Sequence, residues 1–410
     1  MRKFSDCDYL CLLGVLFFVP LSFDYKGQDA GGGVIQFLLA GTTVGVFAII
    51  IIIFCIKNNI LSFFDKFVSG LVVTFALSIV PIFIWDVPFG NYIRVAVPYL
   101  LFLMAYIVAT YFVRIERVGY LIDVMILGCA ISVFVSFLSG LYLSGDVYSA
   151  RHRILSPVVL CCIVLVLYKI IIEKRGNILY WALLGVSFSV VFASQTRSSL
   201  LAAFLIIAAY FFSMRMYSGV IFFLAAIIFI VAGVYFEFFP SELIDGWFGR
   251  FGAVDQMGFD LTTETRKAEI YGQYEMLSEN IYSIIFGRGW GAQYYWSGES
   301  FNLVRSVLGD GFYGDEQFEA GHNFWFYSVF AGGIFGLIFP ILLLMRMSNL
   351  LFTVVFYRNW PADYFGSIAF SFSVAVAFFA NTIGGNPMGP RYSALIYGSL
   401  FAIYAVKMKR

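Results

Sequence analysis

Residues 34–56, VIQFLLAGTTVGVFAIIIIIFCI, form a run of 23 residues without a charged side chain. A helix needs about 20 consecutive apolar residues to cross the hydrocarbon core of a bilayer, so this run is long enough to span a membrane. The whole chain has the same character, since 61% of its 410 residues are hydrophobic and only 12% are charged. This composition is incompatible with a soluble globular domain.

Apolar runs of about 15 to 25 residues recur along the chain. Their centres lie near residues 16, 45, 76, 104, 130, 163, 186, 207, 228, 335, 373 and 399. They predict an all-α polytopic membrane protein with about twelve transmembrane helices. Because several runs are short, notably 200–214, eleven or thirteen helices also fit. The first run lacks a small-residue cleavage site, so we interpret it as a retained helix rather than a signal peptide.

The hydropathy pattern divides the chain into three segments. Residues 1–239 hold the first nine predicted transmembrane helices, residues 240–322 form a polar loop of 83 residues, and residues 323–410 hold the last three helices. We expect short helices in the loop. The clearest covers roughly 263–280, where charged and apolar side chains alternate in an amphipathic pattern of the kind that lies along a bilayer surface.

Basic residues indicate the orientation of the chain. With twelve helices, one set of connecting segments holds fifteen lysines and arginines, and the opposite set, with the long loop, holds eleven. Cytoplasmic segments carry an excess of these residues, so both termini are predicted in the cytoplasm and the loop outside. Nine of the eleven external basic residues are arginine, which is suited to bidentate phosphate contacts.

His322, one of two histidines in the chain, ends the polar loop and is followed by Asn323 and, further on, by Gly333-Ile334-Phe335-Gly336. A neutral imidazole accepts a proton near neutral pH, as a general base for a sugar hydroxyl must do. Gly333 and Gly336 are expected to permit close helix packing. The alternative for His322 is an interfacial side chain without a chemical role.

Several external arginines are candidate phosphate ligands. Arg197 lies in the short polar connection SQTRSS (194–199), where a charge is expected to point into the helix bundle. Arg151 and Arg153 end another external loop, and Arg391 follows the glycine-rich stretch 384–390. For each of them, snorkelling to lipid head groups is the alternative.

The loop also contains the turn Gly287-Arg288-Gly289-Trp290-Gly291, in which three glycines permit a tight backbone with free N–H groups, a candidate anion nest beside Arg288. The loop offers aromatic rings for sugar stacking; these are Trp247, Tyr271, Tyr274, Trp290, Tyr294, Tyr295 and Trp296. The same rings also fit an aromatic belt at the membrane interface. The loop has a single histidine, no cysteine and scattered carboxylates, so no metal site is predicted.

In this order and spacing, these features resemble the O-antigen polymerase and O-antigen ligase superfamily, bacterial inner-membrane glycosyltransferases of the GT-C type. The resemblance covers about residues 150 to 340 and rests on the connection 194–199, Arg266, the turn 287–291, and His322-Asn323 with Gly333 and Gly336. In the amino-terminal third, only the hydropathy agrees.

The resemblance implies inverting glycosyl transfer on the periplasmic face without a metal or another cofactor. The donor would be an undecaprenyl-diphosphate-linked glycan, and the acceptor either a lipid-linked repeat unit or lipid A-core. His322 would act as the base or orient the acceptor, and Arg197 and Arg288, with Arg266 as a further candidate, would neutralise the leaving diphosphate. The implied substrate contacts are Arg266, Arg151, Arg153, Asn323, Trp290 and Arg391. Membrane lipids and a chain-length regulator protein are the implied partners, and nucleic acid is not one.

The acceptor distinguishes two enzymes that need the same base and the same diphosphate contacts. We favour a polymerase, because of the extended Phe- and Ile-rich runs and the arginines at 151 and 153, and keep the ligase as the alternative. A transporter or flippase of lipid-linked glycans is a third possibility. It is expected to show internal repeats and short loops, whereas this chain has one long loop and no evident similarity between its halves.

Overall fold

The computed structural model describes residues 6–24, 34–57, 66–145, 147–213, 245–249, 258–308, 321–356, 362–389 and 392–407. Regular structure in these ranges is helical, and they contain no β-strand. The predicted all-α class is therefore confirmed. The predicted span near residue 228 and the candidate Arg391 lie outside the described residues.

The first half of the chain contains eleven helices among its described residues. They are α1 (Asp6–Leu13), α2 (Val19–Leu21), α3 (Val34–Lys57), α4 (Lys66–Ser78), α5 (Val80–Trp85), α6 (Phe89–Arg114), α7 (Val118–Ser144), α8 (Val147–Ile154), α9 (Val159–Leu167), α10 (Ile178–Ala193) and α11 (Arg197–Ser213). A π-helical turn, Gly14–Phe18, joins α1 to α2, and a second one, Tyr168–Ile172, extends α9.

The described residues of the second half begin with a helical turn at 245–249. The helices that follow are α12 (Leu261–Ser278), α13 (Ile281–Phe286), α14 (Gly298–Leu308), α15 (Phe324–Gly336), α16 (Ile338–Phe356), α17 (Ala362–Gly384) and α18 (Ser393–Lys407). Short helices therefore occur in the polar loop, as predicted.

Four helical stretches among the described residues are long and apolar enough to cross a membrane: Lys66–Trp85, Phe89–Arg114, Val118–Ser144 and Gly366–Ile383. The helices Phe324–Gly336 and Ile338–Asn349 are bent by 102° relative to each other, and together they form a fifth candidate if they cross as one broken span. Six shorter apolar helices lie at other predicted centres. A membrane protein is thus supported, while the count of twelve spans and the orientation stay predictions.

The centre of the bundle is α9, in which every residue from Val159 to Leu167 is buried. It is packed against α7, α10, α11 and α17. The helices α6 and α18 pack against each other, and Gly398 of α18 lies directly against the backbone of Phe102. A side chain at Gly398 would collide with that backbone, so the glycine permits the close approach.

The bend between α15 and α16 begins at Gly333, whose φ of 57° is a conformation that favours glycine. A Cβ atom at Gly333 would overlap Ile285 and lie 2.6 Å from the backbone nitrogen of Gly287. Gly336 similarly lies against the backbone carbonyl of Ser328, within the same bent helix. Both glycines therefore occupy close backbone contacts, and the one at Gly333 joins α15 to the end of α13.

Candidate functional site

The loop helix α12 runs Leu261–Ser278, close to the predicted range 263–280. The helix has two distinct faces. Glu269 and Gln273 are buried together with Ala268 and Leu277, whereas Tyr271 and Tyr274 are exposed by half or more. The inward face of α12 thus carries polar side chains among apolar ones. A carboxylate tolerates such burial only where partners satisfy it.

Glu269 has those partners, and His322 is the main one. Oε1 of Glu269 accepts hydrogen bonds from the backbone N–H of His322 at 2.6 Å and from the Tyr294 hydroxyl at 3.0 Å. Nδ1 of His322 lies 3.3 Å from Oε2, and Nη1 of Arg266 lies 3.6 Å from the same oxygen. The Glu269 side chain is 1% exposed and that of His322 is 49% exposed. A buried carboxylate therefore holds a half-exposed imidazole.

The charge state of Glu269 follows from its surroundings. Burial raises the pKa of Glu269, but the hydrogen bonds from His322 and the positive charge of Arg266 outweigh it and leave the pKa below its ordinary value. Burial and the neighbouring Glu269 charge raise the pKa of Tyr294, which stays a hydroxyl donor. An ionised Glu269 that faces Nδ1 favours the tautomer with the proton on Nδ1, which leaves the lone pair of the neutral ring on Nε2.

Further polar groups lie beside the pair on the inward side of α12. Gln273 is one helical turn after Glu269 and fully buried, with its side chain at the Tyr294 hydroxyl. The backbone N–H of Ser297 donates to the carbonyl of Ala268 at 3.2 Å, and the Ser297 hydroxyl is buried without a partner among the described residues. Buried polar groups are normally satisfied, so this hydroxyl indicates a place for a polar ligand or ordered water.

Arg197 begins α11 and contacts the other end of α12. Its Nη2 lies 2.5 Å from Oδ2 of Asp260, and Asp260 also accepts from the Thr262 backbone as the N-cap of α12. Burial raises the pKa of Asp260, but the bonds from Arg197 and Thr263 outweigh it, so its pKa lies below the ordinary value. Asp260 and Glu269 are nine residues apart, or about 13 Å along the helix.

The connection before α11 is fixed by the residues around it. Gln195 is buried with a φ of 52° and accepts a hydrogen bond from Nη1 of Arg151 at 3.3 Å. Trp247, in the helical turn 245–249, donates to the carbonyl of Phe192 at 3.2 Å. Arg151 is thereby placed beside the Arg197 connection. Arg153 is partly buried on α8, whose backbone at this point packs against Gly140 of α7.

The turn Gly287–Gly291 does not form the predicted anion nest. The N–H groups of Arg288 and Gly289 donate to the carbonyls of Phe330 and Ala331 at 2.8 and 2.9 Å, and that of Gly291 donates to the Tyr327 hydroxyl at 3.2 Å. These bonds attach the turn to α15. The backbone donors that an anion would need are used by the fold itself.

The two side chains of this turn are also engaged by the protein. Arg288 donates to the carbonyl of Met276 and to Glu279, and its guanidinium lies 4.3 Å from the centre of the Trp85 ring. Trp290 is 2% exposed and stacks on Tyr99 with ring centres 4.4 Å apart. A sugar cannot stack on a covered ring, so the predicted substrate contact at Trp290 is not supported. The geometry favours a structural role for both residues.

Asn323 is the N-cap of α15, and its Oδ1 accepts from the backbone of Phe326 at 3.0 Å. Asn323, a predicted substrate contact, thus has a structural function, which is to cap the start of α15. The glycine-rich stretch before Arg391 reaches the same place, because Nδ2 of Asn386 donates to the carbonyl of Gly321 at 3.1 Å. His322 therefore lies where α12, α15 and the segment after α17 meet.

The sequence did not single out Glu269, Asp260 or Gln273, and it offered Tyr294 only as a ring for sugar stacking. Glu269 is 53 residues from its partner His322 and belongs to a helix with several other acids, so no local spacing marks it. The one available signal was that Glu269 and Gln273 are four residues apart and so share one helical face. Among the described residues, no three His, Cys, Asp or Glu side chains are grouped so as to hold a metal ion.

Comparison with models of protein families gave no match, and comparison with curated proteins gave no significant match. The functional assignment therefore rests on the geometry of the site and on the resemblance of its motifs.

Proposed function

We propose that the chain is a membrane glycosyltransferase that transfers an undecaprenyl-diphosphate-linked glycan on the periplasmic face of the bacterial inner membrane, by inverting transfer without a metal. The observation that carries this proposal is the Glu269–His322 pair. A buried carboxylate that faces one imidazole nitrogen stabilises the imidazolium formed when the other nitrogen takes a proton. The half-exposed ring of His322 is accessible for that purpose.

In the proposed reaction, one proton moves to His322 and one electron pair leaves with the diphosphate. Nε2 of His322 takes the proton of the acceptor hydroxyl, while the hydroxyl oxygen forms a bond to the anomeric carbon of the donor sugar. The bond from that carbon to the diphosphate oxygen breaks on the opposite side, and the electron pair leaves with the diphosphate. Glu269 stays at Nδ1 throughout this step. Because it contacts His322 and no reacting atom, it is a positioning residue.

Arg266 and Arg197 are the arginines that we assign to the leaving diphosphate. Arg266 is partly exposed and lies 3.6 Å from Glu269, next to His322. Arg197 is partly exposed and paired with Asp260, so it would have to share or exchange this partner to bind phosphate. Arg288 is committed to Met276, Glu279 and Trp85, and in this proposal it shapes the site without touching the diphosphate.

For the acceptor we keep the polymerase, which joins one lipid-linked repeat unit to another. Arg151, attached to the Arg197 connection through Gln195, supplies a second cation near Arg197, as two diphosphate-bearing substrates require. A ligase, which transfers the finished chain to lipid A-core, needs the same His322 and Arg266 and is the alternative. Arg153, Arg391 and a chain-length regulator protein remain proposed contacts of the polymerase.

The proposal is tested with the purified full chain in lipid nanodiscs and a synthetic undecaprenyl-diphosphate-linked repeat unit. Extension of the lipid-linked glycan supports a polymerase, and His322→Ala should abolish it. The exposed Arg305 on α14 offers a matched control, so Arg305→Ala should retain the activity that Arg266→Ala loses. A wild-type chain that moves the lipid-linked glycan across a bilayer without forming a new linkage would contradict the enzyme and support a flippase.

Gene deletion separates the two enzymes in the cell. Lipopolysaccharide that carries core plus a single repeat unit indicates loss of a polymerase. Bare core with intact lipid-linked polymer indicates loss of a ligase, and normal lipopolysaccharide would contradict both.

A further inference from the structure

We propose that α13 lies in the lipid of the membrane, at the level where the span Lys66–Trp85 ends, whereas α12 faces water. The sequence of α13, IYSIIF, contains no charged residue. Its outward side chains are Ile281, Tyr282 and Ile284, of which the first two are exposed by 60% and 61%. An outward helix face composed only of apolar and tyrosine side chains is typical of a segment immersed at a membrane interface.

Direct contacts join α13 to helices that are apolar enough to span a membrane. Trp85 is the last residue of the candidate span Lys66–Trp85, and its indole N–H donates to the carbonyl of Gly287, which ends α13, at 2.9 Å. Phe83 and Phe89, near Trp85 in the chain, are exposed. The end of α13 thus lies at the end of this apolar span, which itself exposes large apolar side chains.

The opposite side of α13 packs on α15, which is half of the bent pair that counts as a fifth candidate span. Ser283 is buried in this contact, and the rings of Phe286 and Phe335 lie 5.9 Å apart. The neighbouring Ile334 of α15 is itself exposed. The face of α13 that points away from α15 is therefore bordered by apolar surface, which fits lipid better than water.

The adjacent helix α12 has a different surface. Its outward residues include Lys267 and Glu275 beside Tyr271 and Tyr274. Charged side chains at this density are costly in hydrocarbon and favourable in water. The break between the two helices, at Glu279 and Asn280, is thus inferred to be the level of the bilayer surface. This inference is independent of the reaction that the site performs.

Tyr282 and Tyr274 provide a matched pair, because their exposed fractions are 61% and 58%. Tyr282→Cys and Tyr274→Cys are compared in the full chain, reconstituted with one copy per nanodisc, after subtraction of the labelling of the parent cysteines. A charged maleimide attacks only thiolates that water reaches, so we expect it to label residue 282 at least about tenfold more slowly than residue 274. Both should label equally in SDS.

A second measurement tests whether lipid is what protects residue 282 from the maleimide. The small neutral fluorophore bimane is attached at each position, and doxyl-labelled phospholipids should quench it at 282 and leave it bright at 274. Equal maleimide labelling, or a protected residue 282 that the lipids do not quench, would overturn the proposal. Protection and quenching at both positions would overturn it as well, because α12 would then also lie in lipid.

Discussion

Oε1 of Glu269 accepts a hydrogen bond of 2.6 Å from the backbone of His322, while Oε2 of the same carboxylate lies 3.3 Å from the imidazole Nδ1 of His322. One buried group thus fixes both the backbone and the ring of the histidine that ends the polar loop. The ring is held at Nδ1 and is half exposed. This relationship is what distinguishes His322 from an ordinary interfacial side chain.

Glu269→Gln should lower kcat for glycan transfer by about two orders of magnitude, because an amide neither carries the charge that stabilises an imidazolium nor enforces the Nδ1–H tautomer. The KM for the lipid-linked donor should change much less, since Glu269 is assigned no contact with it. Both quantities are measured on purified protein in nanodiscs at matched protein amounts.

Glu275→Gln is the control for that substitution, because it makes the same chemical change on the exposed side of the same helix. It should leave kcat within about twofold of the parent, as surface substitutions usually have small effects. Equal losses in the two variants would show that α12 tolerates no such change, and an active Glu269→Gln variant would remove Glu269 from the mechanism.

The stability of the purified protein should depend on Glu269 in a pH-dependent way. The pKa of Glu269 in the folded protein lies below its ordinary value of 4.5, so the unfolded chain binds this proton more readily. The stabilisation is therefore fully present above pH 4.5 and is lost as the pH falls through the lowered pKa. In detergent, the difference in melting temperature between the parent and Glu269→Gln should narrow as the pH falls below 4.5; a difference that widens below pH 4.5 would contradict the assigned shift.

Much of the fold could be predicted because hydropathy alone determines which segments avoid water. Eleven of the twelve predicted span centres fall in apolar helices of the described residues. Span lengths were less predictable. Hydropathy does not reveal where glycine bends a helix, and the bend after Gly333 divides one apolar run into two helices at 102°.

The candidate site was predictable only where a residue type is rare. His322 is conspicuous as one of two histidines, whereas Glu269 is one of 25 acids. The amphipathic pattern of α12 showed that this helix has two faces, but periodicity does not show which residues pack against each face. Trp290 failed as a substrate contact for a related reason, since a tryptophan that stacks on sugar and one that stacks on Tyr99 look alike in sequence.

Asp260 has two functions that substitution can separate, the N-cap of α12 and the ion pair with Arg197. Asparagine caps a helix as well as aspartate does, so Asp260→Asn should lose only the ion pair, whereas Asp260→Ala should lose both. We expect the alanine variant to be less stable than the asparagine variant by about 1 kcal/mol in denaturant titrations. Identical stabilities would mean that the cap contributes nothing here.

The two adjacent glycines of α15 provide the sharpest test of the bend. Gly333 has a φ of 57°, and a Cβ there would overlap the backbone at Ile285 and Gly287, whereas a Cβ at Gly332 would meet nothing within 4 Å. Gly333→Ala should therefore destabilise the protein by about 3 kcal/mol, from backbone strain and overpacking together. Gly332→Ala should be neutral or slightly stabilising, because alanine is the better helix former. The comparison is made by the yield of monodisperse protein and by thermal melting, and equal behaviour of the two variants would contradict the contact between α15 and the end of α13.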